Sequence, residues 1–473
     1  MTDRPWLAAY PQGVPADIDP SQYPSLVALM EEAFQRYASR VAYTFMGKEV
    51  TFAQTDAQSR AMGAYLQGLG LAKGERVAIM MPNVPQYPVV VAAGLRAGLV
   101  VVNINPLYTP RDLEHQLKNK SDKTIVIMEN FAYTLEQCIG NTALKHVVLS
   151  AMGDQLGLLK GALVNFVVRS AKKLVPAFSL PGAVRFNQAL ARGARGTLRK
   201  PELQPDDIAM LQYTGGTTGV SKGAILLHRN VIANVLQSEA WNDPVMQQVP
   251  EGEQPTTICA LPLYHIFAFT VNMMLSMRTG GKTILIPNPR DLPAVLKELS
   301  KHRFHSFPAV NTLFNGLANH KDFNTVDWSH LKVSIGGGMA VQSAVAKLWL
   351  EKTGCPICEG YGLSETSPSV SCNPVTEREF TGSIGVPLPS TFMKLVDDDG
   401  HGMEKPGEPG EIAIKGPQVM AGYWQRPDET AKAMMEDGYF KSGDIGTMDE
   451  RGFFKIVDRK KDMVLVSGFN VYP

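Results

Sequence analysis

The sequence lacks any apolar run long enough to span a bilayer, which takes about 18 uninterrupted apolar residues. The longest candidate, PVVVAAGLRAGLVVVNI, is interrupted by Arg96 and is predicted to be a helix followed by a buried strand. An excess of one charge is also lacking, because 46 Lys and Arg offset 45 Asp and Glu and leave a net charge of +1. That balance argues against a nucleic-acid partner, since such proteins carry a strong basic excess.

Cysteine is scarce, and its spacing excludes an ordinary zinc site. Only five cysteines occur, and the single CxxC, formed by Cys355 and Cys358, has no second CxxC or CxxH pair. We expect buried thiols in a reducing compartment, and we expect His302 and His305 to be structural or surface residues. The start of the chain lacks the apolar centre of an export signal, so the sequence predicts a cytoplasmic protein.

Acidic residues are absent from one internal segment, residues 155–201, which carries nine Lys and Arg. Within it, LGLLKGALVNFVVRSAKKLVPAF combines apolar and basic residues as an interfacial helix does. One interpretation is a solvated insertion whose apolar side is packed. The other is peripheral contact with an anionic membrane, which would lie at the inner face of the cell membrane.

The remaining pattern indicates an α/β protein of about three units, at roughly 150 residues each. Apolar runs at 76–82, 99–105, 123–128 and 283–287 alternate with helical stretches at 111–120 and 290–299, which predicts parallel sheets covered by helices. Residues 1–380 are therefore expected to form two parallel-sheet α/β subdomains, with a phosphate loop at 213–223. Short strands between turn signals predict a small antiparallel, β-barrel-like subdomain over 381–457.

The end of the chain has the pattern of a linker followed by the start of a further domain. Residues 458–463, DRKKDM, suit an exposed hinge, and residues 464–473, VLVSGFNVYP, resemble the opening strand of a further domain. The sequence is therefore expected to be cut off after the hinge, with 464–473 as the stub of a missing C-terminal domain.

The stretch YTGGTTGVSKGA, residues 213–224, has the composition of a phosphate-binding loop. It is not a Walker A loop, because Lys222 follows Ser221 and precedes Gly223, whereas that motif needs glycine, lysine and then a hydroxyl residue. RTGGKT at 278–283 fails too, since its required upstream glycine falls at Ser276. The glycines let backbone N–H groups approach an anion closely, and the threonine hydroxyls and one lysine add further donors. This composition favours polyphosphate binding over a generic polar surface loop.

Six stretches in order resemble the signatures of the adenylate-forming enzymes, the superfamily of acyl-CoA synthetases, luciferases and peptide-synthetase adenylation domains. They are YTGGTTGVSKG, LPLYHIF (261–267), IGGGM (335–339), EGYGLSET (359–366), KSGDIG (441–446) and DRKKDM. The chain is most similar to bacterial long-chain fatty-acyl-CoA synthetases. The resemblance implies the large N-terminal domain of that fold.

The resemblance also implies a set of site residues. The ATP-binding residues would be Tyr213, Thr214, Gly215, Gly216, Thr217, Thr218, Gly219, Val220, Ser221, Lys222, Gly223, Gly336, Gly337, Gly338, Tyr361, Gly362, Asp444 and Arg459. Of these, Tyr361 would stack on adenine, Asp444 would accept the ribose hydroxyls, and Arg459 would meet the ribose or α-phosphate. Glu365 and Thr217 would hold Mg²⁺, because that ion prefers oxygen ligands.

The acyl end of the site is implied by PLYHIF. His265 would lie beside the acyl carboxylate and act with Thr217 and Glu365 in catalysis, and Phe267 would contact the acyl chain. A histidine in an apolar stretch is otherwise commonly a core residue. The following Met- and Phe-bearing stretch, residues 267–277, fits either the core or an acyl channel.

The implied reaction converts a long-chain fatty acid, ATP and coenzyme A to acyl-CoA, AMP and pyrophosphate through an acyl-adenylate. Members of the resembled group place a lysine that contacts the α-phosphate beyond the hinge. We therefore expect this chain to bind ATP and fatty acid but to be impaired in catalysis. Two alternatives are a ligase for another acid, such as an aryl or medium-chain acid, and a catalytically silent homologue that binds ATP or lipid. An amino-acid substrate would need a buried carboxylate, and none is evident near PLYHIFAF.

Overall fold

Two large sheets and one small antiparallel sheet organise the chain. The structure is a computed structural model that describes residues 4–118, 122–214, 221–403, 405–459, 464–466 and 469–471. The α/β class expected from the alternating apolar and helical stretches is confirmed.

Regular elements are numbered in chain order over the described residues. The strands are β1 (Val41–Phe45), β2 (Lys48–Thr51), β3 (Arg76–Met80), β4 (Val100–Asn103), β5 (Asp122–Met128), β6 (His146–Ser150), β7 (Val184–Arg185), β8 (Ile208–Thr214), β9 (Lys222–Leu227), β10 (Thr256–Cys259), β11 (Lys282–Leu285), β12 (Ser306–Ala309), β13 (Val333–Gly336), β14 (Ile357–Gly362), β15 (Ser369–Cys372), β16 (Val386–Pro387), β17 (Phe392–Val396), β18 (Gly410–Lys415), β19 (Gly422–Tyr423), β20 (Phe440–Met448), β21 (Phe454–Arg459), β22 (Val464–Val466) and β23 (Phe469–Val471).

The helices are listed in the same way. The α-helices are α1 (Leu26–Arg36), α2 (Phe52–Gly68), α3 (Gln86–Arg96), α4 (Pro110–Leu117), α5 (Ala132–Glu136), α6 (Leu158–Phe166), α7 (Phe186–Gly193), α8 (His228–Met246), α9 (Ile266–Ala268), α10 (Leu275–Thr279), α11 (Leu292–Leu299), α12 (Asn311–Ala318), α13 (Ser343–Thr353) and α14 (Pro427–Ala433). Short 3₁₀ turns cover Pro5–Ala9, Pro20–Gln22, Glu129–Phe131, Ile139–Asn141, Phe323–Thr325 and Ser364–Thr366, and π-helical turns cover Val167–Ala171 and Phe269–Met274.

The first large sheet has eight strands in the order β19-β9-β8-β4-β3-β5-β6-β7. Its strands from β8 to β7 run parallel, and β9 and β19 extend it antiparallel at one edge. All five residues of β3 are buried, which is the pattern of a parallel strand covered on both faces. The expected helix and strand around Arg96 are confirmed as α3 and β4, and the Arg96 guanidinium contacts Glu31 at 2.9 Å.

The second large sheet has nine strands in the order β16-β15-β14-β13-β12-β10-β11-β1-β2. Its central strands are parallel, and antiparallel strands close both ends. One face buries an aromatic cluster in which the Trp349 ring lies 4.8 Å from Phe314 and 5.0 Å from Trp328, centroid to centroid. Two parallel sheets were expected within residues 1–380, and both are present.

The small sheet is antiparallel, with the linear order β17-β18-β20-β21. It begins within the predicted 381–457 unit and extends two residues beyond it, to Arg459. Two short strands of that unit belong elsewhere, since β16 pairs in the nine-stranded sheet and β19 in the eight-stranded sheet. β21 continues through Arg459, so Asp458 and Arg459 of the predicted hinge have strand backbone, and residues 460–463 lie outside the described residues. The domain boundaries themselves remain predictions.

The scarce cysteines and paired histidines behave as expected of structural residues. All five cysteines are buried and free, and burial raises the pKa of the Cys138 thiol to about 11. His302 Nε2 lies 3.2 Å from Glu298 Oε1, and His305 is buried. No helix in the described part of the chain is long and apolar enough to cross a membrane.

Candidate active site

A cleft of about 1960 Å³ lies where the two large sheets and the small sheet meet. The carboxyl ends of β4 and β8 from one sheet and of β13 and β14 from the other open into it. Ligands of parallel α/β sheets bind at this end of the strands. The predicted site residues that line the cleft are Tyr213, Thr214, Ser221, Lys222, His265, Phe267, Gly337, Gly338, Tyr361, Gly362, Glu365 and Asp444.

Some predicted site residues lie outside the cleft lining or outside the described residues. Gly223 and Gly336 belong to β9 and β13 and are buried without lining the cleft. Gly215, Gly216, Thr217, Thr218, Gly219 and Val220 lie outside the described residues, and so does the side chain of Arg459. Their predicted roles stay predictions.

The predicted phosphate loop joins two antiparallel strands, β8 and β9. The last pair before the loop is Thr214 with Lys222, and Ser221 Oγ donates to the Thr214 carbonyl at 2.9 Å. A strand before the loop and a helix after it were expected, and both are present as β8 and α8. The intervening β9 was missed, because KGAILL also fits the start of a helical pattern. The loop therefore closes a hairpin, unlike the strand–loop–helix of a Walker A site.

Lys222 and Glu365 are both held by the segment that follows β18. Lys222 Nζ lies 2.6 Å from Glu429 Oε2 and 5.0 Å from the Tyr423 ring centroid. The Tyr423 hydroxyl donates to Glu365 Oε1 at 2.7 Å. Burial raises the pKa of Glu365 despite this hydrogen bond, and the Lys222 ammonium lowers the pKa of Glu429 to about 2. The cleft thus carries a buried carboxyl group and a cation that already has an internal counter-ion.

Tyr361 and Asp444 are 83 residues apart in sequence and in contact in the structure. The Tyr361 hydroxyl donates to Asp444 Oδ2 at 2.7 Å, and both side chains are buried. Tyr361 lies on β14 of a large sheet, and Asp444 lies on β20 of the small sheet. The contact brings the predicted adenine and ribose residues together and links the two sheets.

The glycine run after β13 lets the chain pass close to other groups. A Cβ on Gly337 would lie 2.9 Å from the Phe267 ring, and Gly338 has a φ of +77°, which favours glycine. The loop is fastened by the Val341 N–H, which donates to Glu359 Oε1 at 3.0 Å. Burial raises the pKa of Glu359 to about 7. The Glu359 carboxyl group is thus buried in the cleft, although the sequence shows no acidic residue near PLYHIFAF.

His265 caps the short helix α9 and faces the open cleft. Its Nδ1 accepts the Phe267 N–H at 3.4 Å, and the surrounding protein lowers the pKa of the imidazole by desolvation. Neutral His265 therefore predominates near pH 7. Of the apolar stretch that follows, Phe267 and Val271 line the cleft, whereas Phe269, Met273 and Met274 are buried in the core. Most of this stretch is thus core.

The oxygen groups in the cleft suit a magnesium ion that is shared with a ligand. Glu365 supplies carboxylate oxygens, and among the described residues it belongs to no group of three His, Cys, Asp or Glu side chains close enough to hold one ion together. Mg²⁺ typically takes one or two carboxylates and fills its other positions with phosphate oxygens and water. The residues present therefore fit such an ion only together with a polyphosphate.

Three cleft residues were missed by the sequence reasoning. Tyr423, Glu429 and Glu359 line the cleft and contact predicted site residues or their loop. Tyr423 and Glu429 lie far beyond the phosphate loop in sequence, and no spacing rule connects the two segments. Glu359 is the first residue of the EGYGLSET stretch. Of the three missed residues, it is therefore the one that a sequence motif could have identified.

Comparisons with known proteins identify the family of the chain. The model of the AMP-binding enzyme family matches residues 30–424. The Long-chain-fatty-acid--CoA ligase of Escherichia coli O157:H7 is 54% identical over 469 residues, which cover 99% of this chain and 82% of the relative. The ligase of the same name from Yersinia pestis is 53% identical over 472 residues, or 100% of this chain and 83% of the relative.

A solved structure extends the likeness to the fold. The crystal structure of a long-chain-fatty-acid-CoA ligase from Archaeoglobus fulgidus superposes with a TM-score of 0.78 at 24% identity, covering 95% of this chain and 86% of that one. The comparisons do not support the expectation that the chain is cut off, and impaired catalysis stays an unverified prediction. The match over residues 30–424, together with these two bacterial relatives that align along nearly the whole chain, shows that this protein belongs to the AMP-binding enzyme family.

Proposed function

We propose that this protein activates long-chain fatty acids with ATP and transfers them to coenzyme A. The carboxylate attacks the α-phosphorus of ATP to give an acyl-adenylate and pyrophosphate. The thiol of coenzyme A then attacks the acyl carbonyl, and AMP leaves. The observation that carries the proposal is identity of 54% and 53%, along nearly the whole chain, to two relatives named Long-chain-fatty-acid--CoA ligase.

The first step requires positioning and charge stabilisation rather than a general base. A carboxylic acid with a pKa near that of Glu is ionised at pH 7. The barrier therefore arises from bringing two anions together and from the charge on the leaving pyrophosphate. Lys222 is the cation at the end of the loop, and neutral His265 is placed to donate or accept a hydrogen bond beside the carboxylate.

We assign the nucleotide to the side of the cleft between β14 and β20. Tyr361 and the Gly337–Gly338 backbone would contact the adenine, and Asp444 would accept the ribose hydroxyls with its two oxygens. Residues 214–222 would bind the β- and γ-phosphates, and Arg459 would approach from the hinge. Mg²⁺, held by Glu365 and Thr217, would neutralise phosphate charge when bound.

The acyl chain is assigned to the apolar side of the same cleft. Phe267 and Val271 line it beside His265, and Ile335 and Leu388 add further apolar surface. Burial raises the pKa of the Glu359 carboxyl group in this cleft to about 7, well above that of an ordinary glutamate. A carboxyl group that is buried in this way and occupied by the Val341 N–H is a poor partner for a substrate ammonium, which disfavours amino-acid substrates.

Pyrophosphate exchange measured with palmitate, octanoate, benzoate and a set of amino acids tests the assignment. We expect the highest kcat/KM with palmitate and negligible exchange with amino acids. Preference for benzoate or octanoate would favour the aryl or medium-chain alternative. No exchange with any acid would favour a silent homologue or the impaired catalysis predicted from the sequence. Glu365→Gln is the matched control, because it keeps the side-chain volume and removes the charge.

We also propose that the protein is cytoplasmic and contacts the inner face of the cell membrane peripherally. The acid-free segment 155–201 supports this part of the proposal through its nine basic residues. Attraction of lysine and arginine to anionic lipid falls off within about a Debye length, so such contact is reversible and salt-dependent.

A further inference from the structure

Helix α6 presents four large apolar side chains to solvent, and Gly161, Asn165 and the partly buried Val164 lie toward the protein. Leu158 is 93% exposed and Leu159 is 89% exposed, and Leu163 and Phe166 also lie on the surface. At about 100° per residue these four side chains fall within an arc of roughly 140°. The usual amphipathic helix turns such an arc toward the core.

The opposite side of α6 explains this orientation. Gly161 is the one buried residue of the helix, and a Cβ there would lie 2.4 Å from the Gly153 carbonyl oxygen. The Gly153 N–H donates to Asn165 Oδ1 at 2.7 Å, which fastens the next turn. The helix is thus attached through a glycine contact, an amide and the partly buried Val164. The interpretation of residues 155–201 as an insertion with a packed apolar side is wrong for the exposed Leu158, Leu159 and Leu163.

Exposed apolar residues concentrate at this place. Of nine large apolar side chains that are exposed among the described residues, five lie between Leu158 and Leu174. Isolated exposed apolar residues are ordinary, whereas a cluster marks an interaction surface. We call Leu158, Leu159, Leu163, Phe166 and Leu174 the apolar face.

Lysines lie close to the apolar face along the chain. Lys172 and Lys173 are exposed, Lys160 is exposed although its ammonium donates to the Met46 carbonyl, and no acidic residue occurs between positions 155 and 201. Arg169 does not contribute in the same way, because its guanidinium makes two hydrogen bonds of 2.8 Å to the buried carboxylate of Glu129. An exposed apolar helix with lysines close by in sequence, in a segment that has no acidic residue, matches an interfacial helix on an anionic bilayer.

A second copy of the chain fits this surface less well. In a two-fold symmetric interface the same patch meets itself, so the lysines of one copy would face those of the other. No acidic residue of the segment is available to pair with them. An anionic lipid surface supplies the opposite charge and an apolar interior together.

We propose that the apolar face, formed by α6 and Leu174, inserts into the anionic leaflet and is the membrane-docking site of this protein. The inference rests on the peripheral contact proposed above and adds insertion of named side chains to electrostatic attraction. Leu158, Leu159 and Phe166 enter the acyl boundary, and Lys172 and Lys173 remain among the headgroups. The Gly153–Gly161 contact holds the helix in the orientation that this requires.

The test is sedimentation of the full chain with vesicles of phosphatidylcholine mixed with phosphatidylglycerol, compared with pure phosphatidylcholine vesicles. Leu158→Ser with Leu159→Ser should lower the partition coefficient at least about tenfold, because two large apolar side chains no longer enter the bilayer. Lys172→Glu with Lys173→Glu should lower binding to the anionic vesicles and reduce its salt dependence. Tyr133→Ser is the matched control, since Tyr133 is 46% exposed and lies outside the apolar face.

A second measurement reports insertion directly. In an L159W variant, brominated lipid should quench additional fluorescence relative to the parent chain when anionic vesicles are present. Unchanged pelleting of the double serine variant, absence of additional quenching, or no binding of the parent chain would each overturn the proposal. So would a change of oligomeric state in the serine variant, seen by sedimentation velocity, without a change in vesicle binding.

Failure here can be told apart from failure of the proposed enzymatic function. Pyrophosphate exchange with octanoate, a water-soluble acid, is measured without vesicles for the parent chain and all variants. We expect equal rates, because none of the changed residues lines the cleft. An inactive parent chain that still binds vesicles would refute the enzymatic proposal and leave the docking site intact.

Discussion

At the scale of single residues, three charged groups of the cleft, Asp444, Glu365 and Lys222, are each held by a neighbour that the nucleotide would have to share or replace. Tyr361 donates to Asp444, Tyr423 donates to Glu365, and Glu429 pairs with Lys222. A hydrogen bond to a charged group contributes about 1.5–3 kcal/mol, so these contacts set both the position and the availability of each group.

Asp444→Asn should raise the KM for ATP about 10- to 100-fold and leave kcat nearly unchanged. The amide keeps one acceptor for Tyr361 but loses the charged pair of oxygens that would hold both ribose hydroxyls, and ribose contacts are the same in ground and transition states. Steady-state kinetics with varied ATP measure this. Tyr361→Phe, which spares the carboxylate, should have a smaller effect, and an unchanged KM in the asparagine variant would remove Asp444 from the ribose site.

Glu429→Gln should lower the KM for ATP several-fold. Glu429 is ionised at all working pH values, since Lys222 lowers its pKa to about 2, and it therefore competes with phosphate for the Lys222 ammonium. ATP titration of the two proteins at low salt, where exposed charges are least screened, measures the effect. Lys432→Gln, which removes the other lysine at Glu429, is the control. A higher KM in the glutamine variant would mean that Glu429 positions Lys222 instead of competing for it.

At the scale of elements, the positions of the strands along the chain were easier to predict than the pairing of one strand with another. Buried parallel strands such as β3 and β4 are continuous apolar runs, and the sequence shows them directly. β9 was missed because Lys222–Leu227 lacks turn residues before α8, and its pairing with β8 depends on a hairpin that local pattern does not reveal. The inverted orientation of α6 depends on the Gly153–Gly161 approach, which no periodicity encodes.

The same limit applies to the candidate site. Residues within contiguous motifs, such as Tyr361 and Glu365, could be named from the sequence and lie in the cleft. Tyr423 and Glu429 could not, because they reach the cleft through the pairing of β19 with β9, two strands that are distant in sequence. Motifs locate groups along the chain, whereas contacts across sheets decide which groups meet.

The hydrogen bond between α1 and α8 should make the free energy of unfolding depend on pH and decrease at acidic pH. The Leu26 N–H at the start of α1 donates to Nδ1 of His228, the first residue of α8, and burial lowers the pKa of His228 to about 4. The folded state thus favours neutral His228, so its contribution is complete above the ordinary pKa near 6.5 and is lost as pH falls toward 4. At about 1.4 kcal/mol per pH unit between the two values, pH 5 should cost about 2 kcal/mol.

Urea denaturation of the parent chain and His228→Gln at pH 7.5 and pH 5 measures this contribution. The glutamine can still accept the Leu26 N–H but does not titrate, so its loss of stability on acidification should be smaller by about 2 kcal/mol. His401→Gln is the control, because His401 is exposed. Equal acid sensitivity of the parent chain and the His228 variant would contradict the assignment.

At the scale of the whole molecule, the cleft is lined by residues from the eight-stranded sheet, the nine-stranded sheet and the small sheet. Lys222 comes from the eight-stranded sheet, Tyr361 from the nine-stranded sheet and Asp444 from the small sheet. A nucleotide that touches all three can form its contacts only when the sheets keep their native arrangement. Binding should therefore stabilise the three sheets together.

ATP with Mg²⁺ should raise the Tm of the whole molecule by a few degrees in one cooperative transition. A ligand that binds only the native state adds about 2.7 kcal/mol at roughly one hundred times its Kd. Differential scanning calorimetry with ATP alone, with Mg²⁺ alone and with both measures the shift, and Glu365→Gln should lose the increment that Mg²⁺ adds. Because Glu365 and Asp444 belong to different parts of the fold, Asp444→Asn should reduce the shift to a similar degree at fixed ATP. A split transition, with only one part shifted by ATP, would mean that the nucleotide is bound by one sheet rather than between them.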